Sequence, residues 1–465
     1  MTLVSSPPSK ASPHAPAASR GPSLAALRTS FPEGTIPVGI ALLIAGIATY
    51  AFFIVGEKGV GGADEFRPLN SLWFATFALA PGFFLPLEQE LGRAIGHRRA
   101  TGQGGRPVVA KVGRLGLALG AAVVVTLLAG GSFLANEYFD DDWVMVAALI
   151  VAFASYAPAH LARGVCSGSG RFRPYAIIMG ADGLVRLALC LILLVVGVEA
   201  VGAYAFAIAV SPLVGIAYVA YRGQLHTEPG PEASWKEVTP NLGWLLLGSV
   251  FAAGILNAGP VLTNLLAPDG VDDSGRTWDS QVSDFGKGVL LARIPLFMFQ
   301  AVQAALLPRL SRLAASGDFV EFRAGLKRLF YLVIVVGVVG TVGALALGPF
   351  ALEKVYDAKL EGTTLAILAA GSACYMLALA LAQAVIALKG HKLVAIGWVS
   401  AGLALALGTW LGSDEVFRRV EIGLLISSVT AVFFFAAALR RRLDSGVRPD
   451  DASVLEAFTD MPFET

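Results

Sequence analysis

The sequence is poor in charged residues and in cysteine. Of its 465 residues, 15% are charged, and the three cysteines, Cys166, Cys190 and Cys374, are far apart and form no C-x-x-C spacing. This spacing indicates neither a disulfide framework nor a zinc site. The motifs G-x-x-x-x-G-K-[ST], G-x-S-x-G and H-E-x-x-H are absent as well. We therefore predict no catalytic residue, no metal site, no cofactor and no enzyme activity.

Apolar residues, by contrast, are abundant. They make up 55% of the chain, and the mean hydropathy is +0.68. This composition lies outside the usual range for soluble globular proteins and predicts an integral membrane protein. Residues 1–35 differ, since they are rich in Pro, Ser and Ala and lack an apolar signal-peptide core, so they are predicted to be a disordered tail.

Twelve stretches are long and apolar enough to cross a bilayer, which takes about 20 residues as a helix. They are residues 36–55, 69–87, 115–134, 143–161, 175–198, 201–221, 242–266, 289–308, 330–350, 363–388, 393–411 and 420–439. Lys and Arg are concentrated in the N-terminal tail, the even-numbered loops and the C-terminal tail, and basic loops stay on the cytoplasmic side. The sequence therefore predicts an all-α, multi-pass plasma-membrane protein with both termini in the cytoplasm.

The twelve spans divide into two halves of six that show weak similarity. Residues 89–96, "QELGRAIG", follow the second span, and residues 308–315, "PRLSRLAA", follow the eighth. Copies with an even number of helices share their orientation, as in the parallel repeats of transporters. We expect an N-lobe (36–221), a cytoplasmic linker (222–241) and a C-lobe (242–439) around a central cavity, followed by a cytoplasmic tail (440–465).

The fifth and eighth predicted spans contain charged residues well inside their apolar runs. Asp182 and Arg186 lie four residues apart in the fifth span, so they share a helix face and can pair directly. A neutral pair attracts an anion weakly, so we favour a structural or gating contact over substrate binding. Arg293 is unpaired and lies near the expected outer end of the eighth span, where it could either reach the membrane surface or line the cavity.

Further polar residues lie in the seventh and eighth predicted spans and share helix faces with one another. Gln300 is seven residues after Arg293, and Asn257 and Asn264 have the same separation in the seventh span. Such residues either join helices by hydrogen bonds or line a cavity. Basic residues at the inner end of the second span could gather an anionic head group, although topology explains most of them. The predicted substrate-binding residues are Arg293, Gln300, Gln303, Asn257, Asn264 and Arg93.

Three segments resemble a known family. Residues 81–108, "PGFFLPLEQELGRAIGHRRATGQGGRPV", 162–189, "ARGVCSGSGRFRPYAIIMGADGLVRLAL", and 291–323, "LARIPLFMFQAVQAALLPRLSRLAASGDFVEFR", resemble actinobacterial polysaccharide biosynthesis membrane proteins. These belong to the multidrug/oligosaccharidyl-lipid/polysaccharide (MOP) flippase superfamily. The resemblance covers about residues 36–442 and implies a two-lobed, MATE-like fold whose first, second, seventh and eighth helices line the cavity.

The resemblance also implies a function. The substrate would be an undecaprenyl- or decaprenyl-linked saccharide that is flipped from the inner to the outer leaflet for cell-surface polysaccharide synthesis, with Arg293 at its phosphate or pyrophosphate. The expected partners are membrane lipids and the enzymes of the same synthesis, namely glycosyltransferases or a polymerase, and no nucleic acid is expected.

Two alternatives stay open. One is a cation-coupled exporter of drugs or metabolites; such members of the superfamily commonly use a carboxylate in the first or another cavity helix, and the predicted first span contains no acid. The other is a non-transporting scaffold for glycosyltransferases.

Overall fold

The computed structural model describes residues 35–238, 242–296, 299, 319–388 and 390–444. The long helices are α1 (Thr35–Val60), α2 (Ala63–Ala100), α3 (Arg106–Ala129), α4 (Trp143–Gly168), α5 (Phe172–Val196), α6 (Val201–Tyr221), α7 (Leu242–Leu266), α8 (Trp278–Ala292), α9 (Phe319–Tyr356), α10 (Gly362–Ala387), α11 (His391–Leu411) and α12 (Val416–Asp444). Eleven of them, all except α8, are long and apolar enough to cross a membrane. Within the described residues, the only β pairing is an isolated bridge between Val271 and Thr277. The predicted all-α membrane fold is confirmed.

The helices pack in two groups that correspond to the expected lobes. In the N-lobe, α1 packs on α5, α2 on α4, and α6 on both α4 and α5. In the C-lobe, α9 packs on α10, α10 on α12, α12 on α11, and α11 on α7. We call the two ends of the bundle inner and outer, after the orientation that the sequence predicts.

The lobes meet mainly where α2 crosses α7 and α8. A glycine allows the close approach of the first pair, because a Cβ at Gly82 of α2 would lie only 2.8 Å from the Cα of Val250 of α7. The Nδ2 atom of Asn257 also donates to the carbonyl of Phe77, at 2.9 Å. The central helices α2 and α7 are therefore held together by backbone-level contact rather than by long side chains.

Several helices extend beyond the predicted spans. The predicted first span ended at residue 55, whereas α1 continues to Val60 and includes Glu57. The predicted span, residues 36–55, contains no acid, but the helix itself does because it extends past that span. The eighth helix begins at Trp278, within what was expected to be an outer loop. In both cases the predicted span was limited to the apolar run and excluded the neighbouring charged residues. In the structure, Glu57 and Lys287 among these residues are paired inside the protein.

Polar contacts join the lobes at the outer end. The Lys287 ammonium of α8 is fully buried and lies 2.5 Å from the Glu57 carboxylate of α1. Arg67 of α2 contacts the Asp279 carboxylate of α8 at 2.5 Å. We call these two ion pairs the outer latch. They cross from one lobe to the other, so the outer ends of the lobes are closed against each other.

Candidate functional site

A cavity of about 90 Å³ lies between the lobes, on the N-lobe side of the α2–α7 contact. Six helices contribute to its wall: α1, α2, α4, α5, α7 and α8. The lining residues that carry charge are Arg163, Asp182, Arg186 and Arg293. We call this space the N-lobe cavity. Three guanidinium groups against one carboxylate give its wall a positive charge.

Arg186 is the least satisfied of these charges. Its side chain is only 2% exposed, and its Nε and Nη1 atoms have no hydrogen-bond partner within the described residues. The guanidinium lies 4.3 Å from the centre of the Trp73 ring and 5.4 Å from that of Phe77. Ring faces attract a cation but cannot accept its N–H hydrogen bonds strongly, so the donors of Arg186 are left for a ligand.

The expected direct pairing of Asp182 with Arg186 is not formed. The Asp182 carboxylate instead accepts hydrogen bonds from the Ser211 hydroxyl (2.6 Å) and the Tyr156 hydroxyl (3.0 Å). Although the two residues are one helical turn apart, Asp182 contacts α4 and α6 while Arg186 contacts the aromatic face of α2. The cavity thus contains a cation and an anion with separate partners, and a gating role for the pair stays a prediction.

The side chains of Arg293 and Asn257, two of the predicted substrate-binding residues, contact each other. Arg293 Nη1 donates to Asn257 Oδ1 at 2.9 Å, and its Nη2 contacts the Leu256 carbonyl. The expected position near the outer end of the helix is wrong, because Arg293 directly follows a helix of 15 residues and lies about 22 Å along it at a rise of about 1.5 Å per residue. At 7% exposure it does not reach the membrane surface.

The remaining predicted residues lie apart from the N-lobe cavity or outside the described residues. The Asn264 amide bonds Arg67 Nε (3.0 Å) and the Tyr138 carbonyl (2.9 Å) at the outer end. At the inner end, Arg93 contacts the Glu90 carboxylate (2.8 Å) and the carbonyl of Glu237 in the linker (2.5 Å). Gln300 and Gln303 lie outside the described residues, as do residues 308–315 of the possible repeat.

The linker is fixed to the N-lobe at this inner end. Arg98 binds the Glu237 carboxylate with two nitrogens, at 2.5 and 3.0 Å, and its Nη1 donates to the Pro231 carbonyl at 2.7 Å. Hydrogen bonding to the guanidinium lowers the pKa of Glu237 below its usual value. Lys111 of α3 donates to the Ala233 carbonyl at 2.5 Å. The residues before α7 are therefore tied to α2 and α3.

A buried cluster of charged residues was not predicted from the sequence. The Glu88 carboxylate of α2 accepts from Arg163 Nε (3.0 Å) and Nη2 (2.8 Å) and lies 3.0 Å from His160 Nδ1. All three residues are at most 5% exposed. The predicted spans stopped at residues 87 and 161, just before Glu88 and Arg163. A signal was present, since His160 and Arg163 are three residues apart and therefore share a helix face.

Two further charged residues, Arg276 and Asp284, lie next to the outer latch, and the sequence placed both in a loop. Asp284 of α8 accepts from Arg276 Nη2 at 2.6 Å and from the backbone N–H of Lys359 at 3.0 Å. It also lies 3.5 Å from Lys287 Nζ. Acidic residues between the predicted seventh and eighth spans are thus partners for the buried cations Arg67 and Lys287.

Comparison with known proteins agrees with this architecture. No family model matches the chain. One uncharacterized protein of Mycobacterium tuberculosis is 26% identical over 424 residues, which cover 87% of this chain and 91% of that protein. A second uncharacterized protein of the same organism is 25% identical over 437 residues, 90% of this chain and 95% of that protein. Both similarities extend over nearly the whole length of the relatives.

Similar solved structures are MATE transporters. An inward-facing multidrug resistance MATE family transporter of the MOP superfamily has a TM-score of 0.66 at 13% identity, covering 87% of this chain and 98% of that chain. The outward-facing conformation of such a transporter gives a TM-score of 0.62 at 13% identity, with 88% and 96% coverage. A Vibrio cholerae MATE transporter mutant gives 0.62 at 14% identity, with 90% and 98% coverage. The chain therefore has the MATE fold, as the family resemblance implies.

Proposed function

We propose that this protein is a membrane transporter that works by alternating access and moves a polyprenyl-phosphate- or polyprenyl-pyrophosphate-linked saccharide across the plasma membrane for cell-surface polysaccharide synthesis. The observation that carries the proposal is the buried Arg186 side chain, which lines the N-lobe cavity with two donor nitrogens that have no partner in the described residues. A buried cation with unfilled donors is costly, and an anionic ligand removes that cost.

Phosphate suits the charges of this cavity. Arg163 is balanced by Glu88, and Asp182 is the one carboxylate among the lining residues that the structure describes. Arg186 and Arg293 add two positive charges, so the lining has an excess of positive charge. A guanidinium group presents a planar set of N–H donors that fits phosphate oxygens in pairs. Arg293 keeps its contact with Asn257, so we assign Arg186 the main phosphate contact and Arg293 a supporting one.

Aromatic residues surround this cationic centre. The ring centres of Trp73 and Phe77 lie 4.4 Å apart, and the two rings form the wall next to Arg186. A low-dielectric wall strengthens the attraction between a guanidinium and a phosphate compared with the same pair in water. The polyprenyl chain needs no such site, because it is as apolar as the lipid around the helices. The cavity therefore selects the charged head of an amphiphile.

Alternating access requires that the lobes separate at one end while they close at the other. The outer latch joins α1 to α8 and α2 to α8 by ion pairs, and the chain connection between the lobes lies at the inner end. Opening to the outside would break these pairs and expose their charges to water. The latch is therefore the contact that we expect to control release of the substrate to the outer side.

A cation-coupled exporter is the second candidate, and the position of Asp182 favours it. This carboxylate lies in the N-lobe cavity and accepts hydrogen bonds from two hydroxyl groups. Such a group can bind a proton or another cation inside the membrane. This candidate requires that transport stops when the proton and sodium gradients are abolished and that Asp182→Asn has the same effect. Cationic substrates should then compete with each other for transport, whereas phosphate lipids should not inhibit their transport.

The test is a flipping assay with the purified full-length protein in liposomes. The probe is a fluorescent, short-chain polyprenyl pyrophosphate that carries a sugar, and its movement is followed by quenching of the outer leaflet. We expect wild type to move the probe and Arg186→Gln to slow it about tenfold or more, because a charge-assisted hydrogen bond contributes about 1.5–3 kcal/mol. The matched control is Arg440→Gln, which removes an arginine whose side chain is 87% exposed.

Three results would contradict the proposal. Equal flipping rates in wild type and Arg186→Gln would show that Arg186 does not bind the substrate. If the probe moves no faster than in protein-free liposomes, the remaining candidate functions are the exporter and the scaffold. Cell-surface polysaccharide that is unchanged when Arg186, Arg293 and Asn257 are replaced together, with expression intact, would favour the scaffold.

A further inference from the structure

A second cavity adjoins the N-lobe cavity and extends into the C-lobe. Its volume is about 130 Å³, and it shares Phe77, Pro81, Leu256 and Asn257 with the wall of the N-lobe cavity. The rest of its wall comes from the inner halves of α2 and α7 together with α10 and α11. We call it the C-lobe cavity. The shared residues form a seam, so one elongated ligand can occupy both spaces.

The polar groups of the C-lobe cavity are of a different kind. Its lining includes no Asp, Glu, Lys or Arg among the described residues, whereas it includes the amides of Gln89 and Gln383, the hydroxyl of Ser249 and the imidazole of His391. Gln383 is 9% exposed and makes no hydrogen bond to another described residue. An amide that is nine-tenths buried offers two N–H donors and a carbonyl acceptor. The atoms of this amide are not among the fully buried atoms without a partner, so they stay open to the cavity and to a ligand that enters it.

Aromatic rings complete this wall. Tyr375 and Trp398 are at most 5% exposed, and their ring centres lie 5.3 Å apart. Trp244 lies across the same cavity and is 40% exposed. Flat apolar surfaces combined with a few neutral donors and acceptors are what a sugar ring requires, since it has apolar C–H faces and hydroxyl edges. A binding pocket of this composition is also typical of small-molecule sites.

We propose that the C-lobe cavity binds the uncharged saccharide of the substrate, while its phosphate group binds at Arg186 in the N-lobe cavity. This inference rests on the proposed function. The sugar hydroxyls bond to the amides of Gln383 and Gln89, and a ring face lies on Trp398 or Trp244. Asn257, at the seam, holds Arg293 through its Oδ1 atom and therefore lies where the phosphate joins the sugar.

Two neutral ligands other than a sugar could enter an aromatic cavity, namely a lipid chain and a drug. A lipid chain has no polar group for the Gln383 amide, so it would bind more tightly when Gln383 is replaced by an apolar residue. The sign of the effect of Gln383→Leu therefore separates a saccharide from a lipid chain. A drug is separated from a saccharide by whether an added hexose increases the affinity.

The experiment measures binding to the full-length protein in lipid nanodiscs. The probes are farnesyl phosphate and a panel of farnesyl phosphates that each carry one neutral hexose. We expect at least one hexose to tighten binding about tenfold relative to farnesyl phosphate, which corresponds to about two net hydrogen bonds. In Gln383→Leu and in Gln89→Leu this gain should fall below about threefold, while the affinity for farnesyl phosphate itself is unchanged. Gln103→Leu, at an exposed loop position, is the matched control and should keep the full gain.

The outcomes separate the two proposals. If farnesyl phosphate binds and depends on Arg186 but no hexose adds affinity, the saccharide site is overturned and the proposed function stands. The saccharide site is likewise overturned if the gain persists in both Gln variants. If neither probe binds to wild type, both proposals fail. Thermal unfolding of each variant distinguishes a lost contact from a lost fold.

Discussion

The two lobes have similar helix arrangements but place different chemistry in their cavities. The N-lobe cavity is lined by Arg163, Asp182 and Arg186, together with Arg293 from the end of α8. The adjoining C-lobe cavity is lined by amides, a hydroxyl, the imidazole of His391 and aromatic rings, with no Asp, Glu, Lys or Arg among its described residues. Similar scaffolds can therefore carry a charged site and a neutral site. The position of a few side chains, and not the fold, decides which ligand each site can bind.

Charge balance should matter more to the stability of the N-lobe than to that of the C-lobe. Glu88→Ala removes the carboxylate that Arg163 contacts through two nitrogens, and breaking such a buried pair costs about 3–5 kcal/mol. The double variant Glu88→Ala/Arg163→Met should be less destabilised than Glu88→Ala alone. In the C-lobe, Gln383→Ala should have little effect, because Gln383 has no partner in the described part of the chain. Thermal unfolding of the detergent-purified variants measures all three.

An equal loss of stability in Glu88→Ala and the double variant would mean that the charges do not depend on each other. A large loss in Gln383→Ala would remove the contrast between the lobes.

Arg186 should stabilise ligand binding and destabilise the empty protein. Arg186→Met removes N–H donors whose lack of partners costs about 1–3 kcal/mol, so the melting temperature of the empty protein should rise. Binding of farnesyl phosphate should weaken about tenfold or more in the same variant. Differential scanning fluorimetry with and without farnesyl phosphate measures both effects. A variant that is less stable than wild type, with unchanged binding, would show that Arg186 is a structural residue.

The outer latch should set the balance between closed and open outer ends. Lys287→Met leaves the Glu57 carboxylate without its partner across the lobe boundary, so the outer ends should separate in a larger share of molecules. Spin labels at positions 65 and 273, both exposed, report this in a background where the three cysteines are replaced. The pulsed-EPR distances should lengthen in Lys287→Met and stay unchanged in Lys58→Met, which removes an exposed lysine of α1.

The contact between the linker and the N-lobe should have the smallest effect and depend on pH. The pKa of Glu237 is lowered by Arg98, so the carboxylate contributes fully above its ordinary pKa of 4.5, and this contribution is lost as the pH falls through the lowered pKa. A partly exposed pair of this kind is worth about 1 kcal/mol or less. Hydrogen exchange of residues 226–238 should be faster in Glu237→Gln than in wild type at pH 7. The exposed Glu232→Gln should match wild type at the same pH.

Much of the fold was predictable because hydrophobic periodicity and length determine membrane spans. The predicted bounds of the sixth and seventh spans, 201–221 and 242–266, match α6 and α7 residue for residue. The errors occur where charges lie inside helices. Glu57, Glu88 and Lys287 interrupt the apolar runs, and a hydropathy pattern cannot tell a buried, paired charge from a loop charge.

The site was predictable only in part for a related reason. The polarity of Arg293, Asn257, Asp182 and Arg186 within apolar runs drew attention to four residues that line the N-lobe cavity, although the sequence assigned Asp182 and Arg186 to a structural or gating contact and not to the substrate. Spacing alone also predicted the ion pair between Asp182 and Arg186, because it cannot show that hydroxyls of Tyr156 and Ser211 and the ring of Trp73 are better placed partners. The C-lobe cavity could not be predicted from the sequence, because amides and aromatic residues are common in membrane helices and carry no charge that would mark them.

The most direct test of the division between the lobes is the affinity for farnesyl phosphate, which has a phosphate group and no sugar. The probe is titrated into nanodiscs that contain wild type, Arg186→Gln or Gln383→Leu. We predict that Arg186→Gln weakens binding about tenfold or more and that Gln383→Leu changes it less than about twofold. Equal weakening in the two variants, or weakening in Gln383→Leu alone, would contradict this division.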